Sequence, residues 1–222
     1  MRYDDPMDYP PYTRAERRSD AVVHVAGLAT VAVGVPGLIV LAVVMRGDSA
    51  AIFGTSVYGA ALLAMILCSA LYHMVPHAGW KGILRRLDHS AIYWKIAGTY
   101  TPFTLLSGGH GAALVAGLWA AAAAGTGMRV LAPGRFRWAS LALYPAMGWA
   151  GAVAGWSLFA TLSGAVMALV VVGGVIYTAG MVFFLWEKLP FHNTIWHVFV
   201  LVASVIFFAA VSLHVIDTAA LA

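Results

Sequence analysis

An all-α membrane protein is what this sequence predicts: a seven-transmembrane helix bundle with its N-terminus in the cytoplasm. Three observations lead there. Of the 222 residues 62% are hydrophobic and only 10% charged, against about 25% charged in soluble domains. The apolar residues fall into seven runs, each close to the roughly 20 residues a helix needs to cross a bilayer. The basic residues gather at alternate ends of those runs. A mean hydropathy of +0.85 agrees.

Residues 1–19, MRYDDPMDYPPYTRAERRS, are polar and proline-rich. They lack the short basic region leading into an apolar core that marks a signal peptide. They read as a mostly mobile cytoplasmic tail, helical from about Ala15, followed by one membrane domain over 20–222. The spans are expected at about 21–45, 51–74, 88–107, 111–128, 138–156, 162–185 and 194–217. Turn signals separate them: RGDS at 46–49, SGGHG at 107–111, APGR at 132–135 and LPFHN at 189–193. HAGWKGILRR after span two reads as a short interfacial turn. GWSLFATLSG between spans five and six is weakly polar, which leaves a six-span count open. Glycine and alanine crowd GTG (125–127), AMGWAGAVAG (146–155) and VVGGVIYTAG (171–180), as close helix packing in lipid requires.

With seven spans, eleven of the 13 basic residues fall on one side, Arg46 alone on the other, and Lys95 within a span. The positive-inside rule makes the rich side cytoplasmic. Trp80, Trp138 and Trp186 sit near the expected interfaces. The excess of +4 therefore belongs to cytoplasmic loops, and nucleic acid is not an expected partner. Membrane lipids are. The lone Cys68 rules out an intramolecular disulfide.

Six of the eight histidines, His24, His73, His77, His89, His192 and His197, fall at that same face. His110 and His214 fall toward the other. Ionisable side chains at membrane depth are costly unless paired, metal-bound or hydrated. Ser69 and His73 share a helix face at i,i+4, and so do Asn193 and His197. Asp88 and Lys95 lie almost two turns apart on one stripe. A catalytic zinc site wants three protein ligands and an open position; His73, His197 and one further ligand supply them, with Asp88 beside the metal. His24, His77 and His89 taken singly read as hydrogen-bonded interfacial side chains. The residues alone leave a metal site, a proton-linked transporter and a structural polar network open.

The segments SALYHMVPH (69–77), LDHSAIYWKIAGTYTPF (87–103), YPAMGW (144–149) and LPFHNTIWHVFVLVAS (189–204) resemble the hemolysin III family, within the progestin and adipoQ receptor group. AERRSDAVVHVAGL (15–28) looks like a degenerate form of its N-terminal motif. The resemblance runs from about Ala15 to Ser204. It implies a zinc near the cytoplasmic face, held by a span-two histidine and an H-x-x-x-H pair in span seven. It also implies a span-three aspartate on the metal's water, and a serine four residues before the first histidine. On this chain these become His73, His197, Asp88 and Ser69. The similar adiponectin receptors and alkaline ceramidases imply hydrolysis of a lipid amide in a bacterial inner membrane. The family name implies haemolysis, and membrane-lipid homeostasis is a further role.

Two positions depart from the pattern. Asn193 stands where the first histidine of H-x-x-x-H belongs, and His192 precedes it. An amide oxygen is a poor zinc ligand, so His192 is expected as the third ligand, swung inward by an irregular first turn after Pro190. Lys95 replaces an apolar residue. It is expected either to snorkel toward the inner interface or to lie on the Asp88 face.

Overall fold

The computed structural model describes residues 13–132 and 134–220, and every regular element in them is helical. Residues 1–12, with Arg2, lie outside the described residues. The helices are α1 (Arg14–Met45), α2 (Ser49–Met74), α3 (Ala78–Leu106), α4 (Ala112–Leu131), α5 (Arg137–Gly148), α6 (Ala150–Ala154), α7 (Trp156–Phe159), α8 (Gly164–Leu185) and α9 (His192–Ala219). Five of them, α1, α2, α4, α8 and α9, are long and apolar enough to cross a membrane.

α1 starts where the sequence supplies a capping box. Glu16 N–H donates to Thr13 Oγ1 at 3.1 Å, and Thr13 N–H donates to Glu16 Oε2 at 2.8 Å. The helix runs unbroken through residues 19 and 20, so the end of the polar tail is already helix. Asp48 caps α2 by accepting from Ala51 N–H at 2.9 Å, and it pairs with Arg46 Nε at 2.7 Å. Those two contacts hold its carboxyl below the usual range. Arg46 also donates to the Thr218 carbonyl, tying this turn to the end of α9.

The segment after span two is a correction. Residues 78–87 form the first turns of α3 rather than an interfacial turn. Pro76 breaks the chain before them, and the helix accommodates Gly79 and Gly82 in its first turns. α3 is long but polar, with Lys81, Arg85, Arg86, Asp88 and Lys95 and three buried threonines. It lies at the centre of the bundle, against α2, α4, α5 and α9, and so buries Asp88, Lys95 and the threonines while α1, α4 and α8 present valines and leucines outward.

The chain between Arg137 and Phe159 is broken at Trp149 and Gly155. Its partners show its course. Tyr144 hydroxyl donates to the His89 carbonyl, Tyr100 hydroxyl to that of Gly148, and Thr161 hydroxyl to Ser107 Oγ. The pairings advance together along α3, so α5–α7 runs beside it from His89 to just past its C-terminal end. The small-residue segments pack as expected: a Cβ on Gly125 would stand 2.7 Å from the Tyr93 ring, and one on Gly151 2.8 Å from that of Tyr100.

Lys95 does neither of the things expected of it. It is 3% exposed, with Nζ 4.3 Å from the Tyr177 ring centre and 4.6 Å from that of Phe207. Packing against α8 and α9 holds it at mid-bundle, and no salt bridge joins it to Asp88.

Two stability measurements check this packing in detergent. Gly125→Ala should destabilise by about 1–3 kcal/mol through overpacking, lowering Tm by about 2–4 °C per kcal/mol. Lys95→Met, which removes a buried amine lacking a carboxylate partner, should raise Tm by a similar few degrees.

Candidate metal centre

The site lies at the end of the bundle where α1 and α9 begin, and α1 fixes it. Glu16 has a second carboxylate oxygen, and Oε1 accepts the Phe191 backbone N–H at 2.9 Å. Phe191 is the N-cap of α9 and holds a left-handed backbone with φ 60°. One side chain thus serves the starts of two helices. Ser19 and Thr194 hydroxyls meet at 2.9 Å one turn further in. One residue on, Asp20 faces His197.

Asp20 is 2% exposed and reaches two helices at once. His197 Nδ1–H donates to its Oδ1 at 2.5 Å, and His73 Nδ1 lies 3.0 Å from its Oδ2. One oxygen serves α9 and the other α2. The donor atoms of Asp20, His73 and His197 lie within 4.8 Å of one another, a group that could hold a metal ion. His24, one turn beyond Asp20, stands against both histidines, its ring centre 4.4 Å from that of His197 and 5.2 Å from that of His73. Its Nδ1–H donates to the Asp20 carbonyl at 2.8 Å, which leaves Nε2 to accept from Ser69 Oγ at 3.2 Å. Ser69 also faces the carboxylate of Asp88, buried on α3. Its single proton has two acceptors.

The residues expected at the site are therefore distributed as follows. His73 and His197 meet. Asp88 and Ser69 line the same cavity of about 1180 Å³ as those histidines. His192 and Asn193 line it too, but His192 is not among the converging donors. The irregular residue is Phe191, and α9 is helical from His192 onward. His192 and His197 therefore point about 140° apart on a regular helix. Asp20, unexpected from the sequence, is the third member of the converging group. The signal was present in the i,i+4 pair Asp20 and His24, inside the segment read as a degenerate N-terminal motif.

The donor set fits a transition metal: two imidazoles and a carboxylate, with His24 adjacent. Ligand atoms of one tetrahedral ion stand about 3.3 Å apart, given bonds of about 2.0–2.1 Å. The 2.5 Å contact between His197 and Asp20 is a hydrogen-bond length. An ion held by all three would replace the shared protons and spread those atoms by under 1 Å.

Residues 13–208 match the family model described as Haemolysin-III related. The chain belongs to the Haemolysin-III related family. It is 38% identical over 208 residues to Hemolysin-3 of Bacillus cereus, covering 92% of this chain and 94% of that one. It is 38% identical over 204 residues to the Hemolysin-3 homolog of Bacillus subtilis (strain 168), covering 90% and 94%. It is also 31% identical over 166 residues to the human monocyte to macrophage differentiation factor, covering 70% and 67%. The match to the family model spans all four helices that build the site.

Elemental analysis of purified protein tests the donor set. Asp20→Ala, His73→Ala and His197→Ala should each reduce bound transition metal at least tenfold, whereas His192→Ala should retain the wild-type content. Equal loss in His192→Ala would return that residue to the ligand set.

Proposed function

We propose that this chain is a zinc-dependent lipid hydrolase, crossing the bacterial inner membrane seven times with its N-terminus cytoplasmic and its site at the inner leaflet. The observation that carries this reading is the meeting of Asp20, His73 and His197 beside a cavity that His73, His197, Asp88 and Ser69 line. Family membership supports the membrane setting. The course of α5–α7 beside α3 supports the seventh crossing. The basic end of the bundle supports the orientation through the positive-inside rule.

Asp20, His73 and His197 would hold zinc, which when bound supplies a Lewis acid at the head of the cavity. The other roles belong to the protein. Asp88, buried and free of any salt bridge among the described residues, accepts a proton from the attacking water and returns it to the leaving amine or alcohol. Ser69 turns its one proton from His24 and Asp88 to the developing oxyanion. His24 fixes the Ser69 hydroxyl beforehand. Before any metal binds, Asp20 fixes the orientation of both imidazoles through its contacts to their Nδ1 atoms. The apolar lining of Met65, Ile66, Ile92, Val200 and Leu201 accommodates acyl chain.

A second reading has its own support in the 2.5 Å contact. A carboxylate satisfied by two imidazoles is also a metal-free tie between α1, α2 and α9, and the protein would then act in membrane homeostasis without catalysis. The relatives' name raises a third reading, lysis through a pore. Against it, α4 and α8 carry no charged residue or histidine in their middles, where a pathway needs polar groups.

The test is hydrolysis by purified protein in nanodiscs containing ceramide and phospholipids. Wild type should release fatty acid, and Asp88→Ala should lower the rate about 10²–10⁴-fold with metal content unchanged. No release from fully metallated wild type would leave the structural tie.

A further inference from the structure

The mouth of the cavity is basic. Arg85, Arg129, Arg135, Arg137 and Lys188 line it from α3, α4, α5 and the connecting segments. Glu187 takes up part of this charge through Arg137 at 3.3 Å. Glu16 lies at the same mouth, engaged with Thr13 and Phe191. The positive-inside rule accounts for arginines displayed at a membrane face, such as Arg86 outside the cavity. It does not account for Arg129.

Arg129 sits in the last turn of α4, its guanidinium 6.0 Å from the Tyr144 ring centre. Its Nε and Nη2 are both buried and have no hydrogen-bond partner among the described residues. Those two nitrogens form one edge of the guanidinium, with two parallel N–H groups spaced for two oxygens of a single oxyanion. Unpaired buried donors on a cation are costly. Asp88 and His89 feel the Arg129 charge, but Asp88 makes no salt bridge with it. Among the described residues the edge has no partner, and it lies beside the site.

We propose that Arg129, with Arg85 and Arg135, binds the phosphate of a membrane phospholipid, so that the hydrolase substrate is an anionic phospholipid rather than a neutral ceramide. This deepens the hydrolase reading and rests on it. Bidentate capture at Arg129 places the headgroup at the cytoplasmic mouth. The acyl linkage, a few bonds away, then points toward Asp88 and the three metal-binding side chains. The chains lie along the apolar wall.

The test is binding, with no turnover required. Full-length protein in detergent is titrated with short-chain phosphatidylglycerol, diacylglycerol, phosphatidylcholine and inorganic phosphate, followed by native mass spectrometry and calorimetry. Phosphatidylglycerol should bind tightest. Arg129→Gln should weaken it about tenfold or more, as loss of a charge-assisted pair of hydrogen bonds does. Arg129→Lys should recover only part of that loss, and Arg86→Gln should leave affinity unchanged. Thermal unfolding of each variant confirms that it folds. Unchanged affinity in Arg129→Gln would overturn the proposal, as would an equal loss in Arg86→Gln. Inorganic phosphate or phosphatidylcholine binding as tightly as phosphatidylglycerol would also overturn it. Asp20→Ala separates the two claims: its metal content reports on the metal centre, while its retained affinity for phosphatidylglycerol reports on Arg129.

Discussion

A single carboxylate ties the working end of this bundle together. Asp20 leaves α1 buried, and its two oxygens meet imidazoles from α2 and α9, residues separated in sequence by 124 positions. A charge at that depth without partners would cost several kcal/mol. With both oxygens engaged, the same burial fixes three helices in register. The position of every other group at the site follows from it. His24 stands one turn beyond Asp20, Ser69 one turn before His73, and Asp88 across from Ser69.

The register is set outside the membrane core by ordinary capping chemistry. Glu16 closes the first turn of α1 and accepts the free N–H of Phe191. The two helix starts are therefore level before any histidine is considered. This also explains the left-handed Phe191. The chain turns sharply there to present its N–H to a carboxylate on another helix, and α9 can then begin as a regular helix. A regular start keeps His192 away from His197, and the third donor that converges on His73 and His197 is Asp20.

Much of this was legible in the sequence. Apolar run lengths gave α2, α4, α8 and α9 to within a few residues, because lipid demands length and composition together. By contrast, α3 begins ten residues before its expected span, and the fifth span is broken into three short helices. Glycines at 47, 108, 109, 111 and 134 marked turns that do have positive φ. Spacing placed His73, His197, Asp88 and Ser69 at one depth, and they line one cavity. Asp20 was not legible as a site residue because it follows a run of arginines at a tail boundary, where an aspartate usually meets water. Its role depends on the lateral order of helices, which periodicity does not encode. Lys95 was misread for a related reason. Depth alone suggested an ammonium reaching for the interface, whereas the neighbouring helices supply two aromatic faces at mid-bundle.

α8 packs almost wholly against α9, and the side it turns toward α5 is lined by apolar and aromatic residues around Lys95. Across that side Trp149 Nε1–H donates to Thr178 Oγ1 at 3.0 Å. Between α5 and α8 this neutral hydrogen bond, worth about 1 kcal/mol, acts beside the aromatic lining of Tyr144, Trp149 and Tyr177. Opening the bundle along that side breaks one neutral hydrogen bond and some aromatic contacts, whereas opening the capped end breaks the Glu16 and Asp20 contacts that join α1 to α2 and α9.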